Sequence, residues 1–106
     1  MDVSFDSLTF ELAEFTVRQE SEAAMLAERE AMTHALGRTF PGAIAAWLTR
    51  EHDGSWIDAI LWRNRLEAEV AAARIHEIPE AARWFRHLAE SKGVRHADVA
   101  HAAISG

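Results

Sequence analysis

The sequence predicts an α+β fold: a four-stranded antiparallel sheet with its helices on one face, built in the order βαββαβ. Three observations carry that prediction. Strand-like runs occupy 8–18, 43–50 and 55–62, and a stretch with helical spacing lies between the first two, at 21–37. The second and third runs are separated by EHDGS, whose Asp53-Gly54 pair is a turn signal. Asn64 and Pro79 then each open a further helical pattern, and a last run at 94–104 completes a ferredoxin-like order.

Each element has its own warrant. In LTFELAEFTVR, Phe10 and Leu12 fall on one side of an extended chain, with Ala13, Phe15 and Val17 on the other. Such a strand has both faces at least partly covered and belongs in the centre of a sheet. Ser21 opens SEAAMLAEREAMTHALG, where Ala24, Ala27, Ala31 and Ala35 form a small-residue stripe beside Met25, Met32 and Leu36. Alanine and glutamate favour the helix, and Gly37 is the expected C-terminal cap.

FPG at 40–42 breaks the chain ahead of AIAAWLTR, and SWIDAILW returns it as a hairpin. With the turn centred on Asp53 and Gly54, Trp47 lies opposite Ile60, and Thr49 opposite Asp58. One face then carries Ile44, Ala46, Leu48, Ile57, Ala59 and Leu61. The other carries Trp47, Thr49, Trp56, Asp58, Ile60 and Trp62. The first of these faces is expected under the helices.

Asn64 with Glu67 makes a capping-box-like start, and Ala68, Ala71, Ala72 and Ile75 form the buried side of that helix. His76 to Pro79 interrupts it. Pro79 begins PEAARWFRHLAE, anchored by Trp84, Phe85 and Leu88, and VRHADVAHAAI is the last strand. A spatial order 4-1-3-2 puts the first strand at the centre. The face without helices, bearing three tryptophans, is too apolar for water and marks an interface or a groove. Two such sheets packed face to face form a homodimer with pockets between sheet and helices.

The bulk properties narrow the function. A chain of 106 residues predicts one domain over 1–106, with its core at about 8–99. A formal charge of −6, with arginines interspersed among glutamates, argues against a nucleic-acid partner. The lack of cysteine excludes disulfides, thiolate nucleophiles and cysteine-held metals, and suits a cytoplasmic protein. MDVSFDSL has no long apolar core, so no signal peptide is read there. No apolar run approaches a membrane span.

These residues resemble the antibiotic-biosynthesis-monooxygenase-like family of dimeric α/β barrel proteins, from about Leu8 to Val99. The likeness lies in ELAEFTVR, FPGAIAAWLTREHDGSWIDAILWRN, IHEIPEAARWF and VRHADV. It looks most like a branch of small proteins, mostly without assigned function, that have a DG-W-D---W hairpin, here Asp53, Gly54, Trp56, Asp58 and Trp62. The resemblance implies a dimeric barrel and several activities: cofactor-independent oxygenation of aromatic polyketides or quinols, haem degradation, or no known chemistry. Haem-degrading members use a first-strand asparagine, and here the polar residues of that strand are Glu11, Glu14 and Thr16. Haem degradation is disfavoured.

Candidate site residues follow. Asp58 is either a general base in a tryptophan-lined cavity or a hydrogen-bonded aspartate beside Thr49. His96, on the last strand, borders the first, where Glu11 or Glu14 can reach it. A histidine–carboxylate pair can deprotonate a phenol or quinol, which makes direct reaction with oxygen feasible without a cofactor. The bland alternative is a satisfied edge histidine. An apolar planar ligand would be held by Trp47, Trp56, Trp62, His76 and Phe85, although the tryptophans equally suit a dimer interface. His76 lines a pocket mouth or caps the helix before it. No HxH, HExxH or compact His/Asp/Glu set points to a metal, and nothing in the chain requires flavin or nicotinamide. The expectation is a cofactor-independent monooxygenase, with a non-catalytic binding or interaction protein as its rival.

Overall fold

A computed structural model describes residues 7–105. The leading segment read for a signal peptide lies mostly outside them. In chain order the elements are β1 (Thr9–Val17), α1 (Glu22–Thr39), β2 (Ala43–Arg50), β3 (Trp56–Trp62), α2 (Arg65–Arg74), a 3-10 turn (Ile75–Glu77), α3 (Pro79–Phe85) and β4 (Leu88–Asp98). The sheet runs β2-β3-β1-β4 with every pair antiparallel. This is the ferredoxin-like order expected from the sequence, with β1 central and the helices on one face.

The hairpin register differs from the expected one by a single residue. Ala46 pairs with Ile60, Trp47 with Ala59 and Thr49 with Ile57. The cause is the turn. Glu51 N–H bonds to Ser55 C=O at 2.8 Å, which leaves a three-residue loop with Gly54 at φ +90°. That loop length uses glycine in the left-handed region to close the strands. The Asp53 carboxylate accepts from Ser55 N–H at 2.9 Å and from Ser55 Oγ at 2.7 Å, and these bonds hold it below the usual carboxylate range.

The slip separates the tryptophans, because strand side chains alternate with period two. Trp56, Asp58, Ile60 and Trp62 are buried and face the helices, reversing the expected assignment of faces. Trp47 stays on the open face, 49% exposed, and packs on Phe10 with ring centroids 5.9 Å apart.

The buried side of α1 also departs from expectation. Met25, Met32, Ala35 and Leu36 are buried, whereas Ala27 and Ala31 point to solvent. Bulky side chains fill the space over the sheet better than alanines do, so the methionine stripe wins. Gly37 lies inside the helix, which runs on to Thr39 and stops before Pro41. Asn64 caps α2 as expected: its side chain accepts from Glu67 N–H at 2.9 Å. Ala68 and Ala71 are buried beneath that helix, while Ala72 is exposed.

The last strand starts earlier than expected. α3 ends at Phe85, and β4 pairs along all of β1, so Leu88 belongs to a strand rather than to a helix. The sequence LAESKGVRHAD has poor intrinsic strand preference, but β1 offers it a full ladder of backbone partners. Two register irregularities absorb the misfit, and Gly93 next to one of them has φ +118°. The residues after Asp98 that were expected to continue the strand lack regular structure through Ser105.

The core lies between the sheet and the helices. Trp84 meets Phe15 edge-on at 5.5 Å, and Phe40 meets Trp62 at 6.5 Å. The buried Trp84 indole donates to the Met25 carbonyl at 3.0 Å, tying α3 to α1 and satisfying its one polar atom.

Candidate functional site

Between the helices and the sheet lies a cavity of about 550 Å³. Its floor is the helix-facing side of β1, β3 and β4. Its walls come from Met32 and Leu36 of α1, Ala71 of α2, Ile75 of the 3-10 turn, and Trp84 and Phe85 of α3. The volume suits a drug-sized apolar molecule.

Strand register orders the floor in rows. His96, Glu11 and Ile60 are cross-strand neighbours, and Val94, Ala13 and Asp58 form the next row. Ala13 has the smallest side chain on this floor, so space opens above it. The polar groups therefore gather on one part of an otherwise apolar cavity. Glu11, Asp58 and His96 all line it.

Glu11 and His96 form a loose pair. His96 Nε2 stands 3.8 Å from Glu11 Oε2, and their side chains are 20% and 15% exposed. That distance is an ion-pair contact but not a hydrogen bond, and the buried Nε2 has no hydrogen-bond partner. The Trp62 indole donates weakly to Glu11 Oε1 at 3.4 Å. Burial raises the Glu11 carboxyl above its ordinary value. The Trp62 bond and the nearby His96 act in the opposite sense, and the Asp58 charge adds to the rise.

This has a measurable consequence for stability. A carboxyl raised above 4.5 in the fold contributes stability that is complete below that value and lost as pH rises through the folded-state value. Glu11→Gln removes the ionisation. Its stability relative to the wild type is therefore expected to increase between about pH 4 and pH 7, as read by urea-unfolding midpoints.

Asp58 is held differently. Arg29 Nη2 reaches its Oδ1 at 2.5 Å, with both side chains largely buried, at 12% and 10% exposure. Arg29 also lies over the face of Trp84, 5.1 Å from the ring centroid. The pair spans from α1 to β3. Asp58 is thus a charge-paired carboxylate rather than a free one, and its expected neighbour Thr49 bonds instead to the Ile57 carbonyl.

Arg29 is the residue that reading the sequence missed. Met25, Arg29, Met32 and Leu36 share one helical stripe, so a charged residue interrupts an apolar face at a position that must be buried. A lone aspartate within a strand is the complementary signal. Those two anomalies could have been matched.

The remaining candidates divide. Trp62 and Phe85 line the cavity, and Glu14 borders it although alternation along β1 assigns it to the open face. Trp56 is buried beside the cavity, beneath the Arg50 guanidinium at 4.5 Å. Trp47 and His76 do not reach it: Trp47 occupies the opposite face, and His76 is exposed on the 3-10 turn. Among the described residues, no group of three or more His, Asp or Glu side chains is arranged to hold a metal ion. No helix among them is long and apolar enough to cross a membrane.

No family model and no curated protein matches the chain. Solved structures do. A candidate antibiotic biosynthesis monooxygenase from Bordetella bronchiseptica is similar with a TM-score of 0.69 and 18% identity, covering 86% of this chain and 95% of its own. SnoaB, a cofactor-independent oxygenase from Streptomyces nogalater, has a TM-score of 0.63 and 22% identity, over 86% and 89% of the two chains. A conserved protein from Methanosarcina mazei has a TM-score of 0.65 and 10% identity, over 88% and 93%. The chain thus shares the ferredoxin-like fold of these solved structures.

Proposed function

We propose that the protein is a cofactor-independent monooxygenase acting on an aromatic or quinol-like small molecule. The observation that carries this reading is the Glu11–His96 pair on the floor of an apolar cavity. The fold shared with a cofactor-independent oxygenase supports it.

In this mechanism a hydroxylated ring lies over Ala13, between the strands and the Met32, Leu36 and Trp84 wall. His96 takes the acidic proton of the substrate, and Glu11 orients the imidazole and balances the charge it gains. The electron-rich anion then reacts with dioxygen to form a carbon–oxygen bond. Reprotonation of the resulting peroxide and loss of water leave a carbonyl. One oxygen atom enters the product, the other leaves as water, and the substrate supplies all the electrons. The apolar walls keep bulk water from quenching the anion.

Oxygen uptake tests this directly. A panel of naphthalene diols and anthrones, in chelator-treated buffer, is expected to show enzyme-dependent oxygen consumption with stoichiometric carbonyl product. Uptake no faster than in protein-free controls across the panel counts against the enzyme and favours a binding role.

The open sheet face supports a homodimer. Phe10, Leu12 and Leu61 are only half-buried there, and Trp47 is half exposed, with no helix to cover them. A patch of this kind is costly to leave in water, and a second copy offers a matching surface. Two sheets joined in this way would form the dimeric barrel. Trp47→Glu is expected to shift sedimentation velocity from dimer to monomer while leaving the far-ultraviolet circular dichroism unchanged.

A further inference from the structure

Two carboxylates share the cavity floor, and only one has a cation bonded to it. Glu11 and Asp58 sit on adjacent rows of β1 and β3, on the same face of the sheet. Among the described residues, the charged or titratable groups that line the cavity with Glu11 are His96 from β4, Asp58 from β3 and Glu14 on its own strand, and Arg29 of α1 is bonded to Asp58. The α2 and α3 walls contribute only uncharged side chains such as Ala71, Trp84 and Phe85.

We propose that Arg29 is a positioning residue of this cavity: it holds Asp58 in an ion pair, so that proton transfer at the floor falls to Glu11 and His96. Three observations converge on it. The guanidinium is fixed twice, by the 2.5 Å bond to Asp58 and by stacking on Trp84. Trp84 is itself fixed by its bond to the Met25 carbonyl, one helical turn before Arg29. Arg29 Nη1 is buried without a hydrogen-bond partner, so the guanidinium is desolvated and its side-chain hydrogen bond is the one to Asp58.

The physical logic is that of two neighbouring acids. Like charges in a shared apolar site make each other's proton harder to remove, and the first to be neutralised leaves the other as the titrating group. With Arg29 bonded to it, Asp58 is engaged in its own ion pair. The carboxyl that stands beside the histidine is that of Glu11. Only the consequence for catalysis rests on the monooxygenase reading; the electrostatic arrangement does not.

Carbon-detected NMR titration of the Glu11 carboxyl and the His96 ring, in ligand-free protein, tests the proposal. In Asp58→Asn the Arg29 charge is no longer neutralised, and proton binding at Glu11 is expected to weaken about tenfold. In Arg29→Met/Asp58→Asn, uncharged at both positions, Glu11 is expected to titrate between the wild type and Asp58→Asn, because the raising effect of the Asp58 charge is also gone. Glu11 titrating identically in folded Asp58→Asn and wild type would mean that the Arg29–Asp58 pair does not act on the floor, and that result overturns the proposal. If Glu11 shifts as expected but His96 does not respond to it, Arg29's role stands and the proton-transfer pairing fails. If oxygen uptake is absent while both groups shift, the monooxygenase reading fails alone.

Discussion

Arg29→Met is expected to lower the unfolding free energy by about 3–5 kcal/mol, the usual cost of leaving a buried charge without its partner. The loss has two sources. Asp58 is only 8% exposed, and the substitution removes its 2.5 Å charge-assisted bond while keeping it from water. The face of Trp84 also loses its cation. Against a total stability of roughly 5–15 kcal/mol for an ordinary domain, this is a large fraction. Arg29→Met/Asp58→Leu should recover most of it, because replacing both members of a buried pair by apolar groups is close to neutral. Urea unfolding of the two variants and the wild type measures the difference. A single variant as stable as the wild type would mean that Asp58 reaches water or another donor.

His96→Gln is expected to reduce kcat for oxygen uptake by about 10²–10⁴-fold, the range for losing a positioned general base. KM should change little, because the apolar walls and Trp62 that hold the ring are intact. Glu11→Gln should give a smaller loss in kcat. It removes the group that orients and stabilises the imidazolium but leaves the base in place. Steady-state kinetics on whichever panel compound gives uptake separates the two effects. A larger loss in Glu11→Gln than in His96→Gln would place the base at Glu11 instead of His96. An unchanged kcat in His96→Gln would remove the histidine from the mechanism.

Several candidate residues stood out in the sequence because they are unusual for their elements. Asp58 breaks an apolar strand, and His96 falls on a strand that must lie beside β1 in a ferredoxin-like order. The choice between Glu11 and Glu14 was open in the sequence, since strand alternation names two faces without saying which one the helices cover. Pairing across β4 settles the geometry: Glu11 stands opposite His96, and Glu14 opposite Gly93.

Local chemistry determined the elements of this chain. Proline, the Asn64 cap and the Asp53-Gly54 turn act over a few residues, so helix starts, the hairpin and the βαββαβ order follow from the sequence alone. Tertiary structure decided what depends on long-range partners. One residue of loop length at Gly54 put Trp47 on the open face and Trp56, Asp58 and Trp62 under the helices. The full ladder of β1 drew LAESKG into β4 against its own preference. Arg29 and Asp58 are 29 residues apart, and only the packing of α1 over β3 makes them a pair. No local rule encodes that contact, because its energy exists only once both charges have left water.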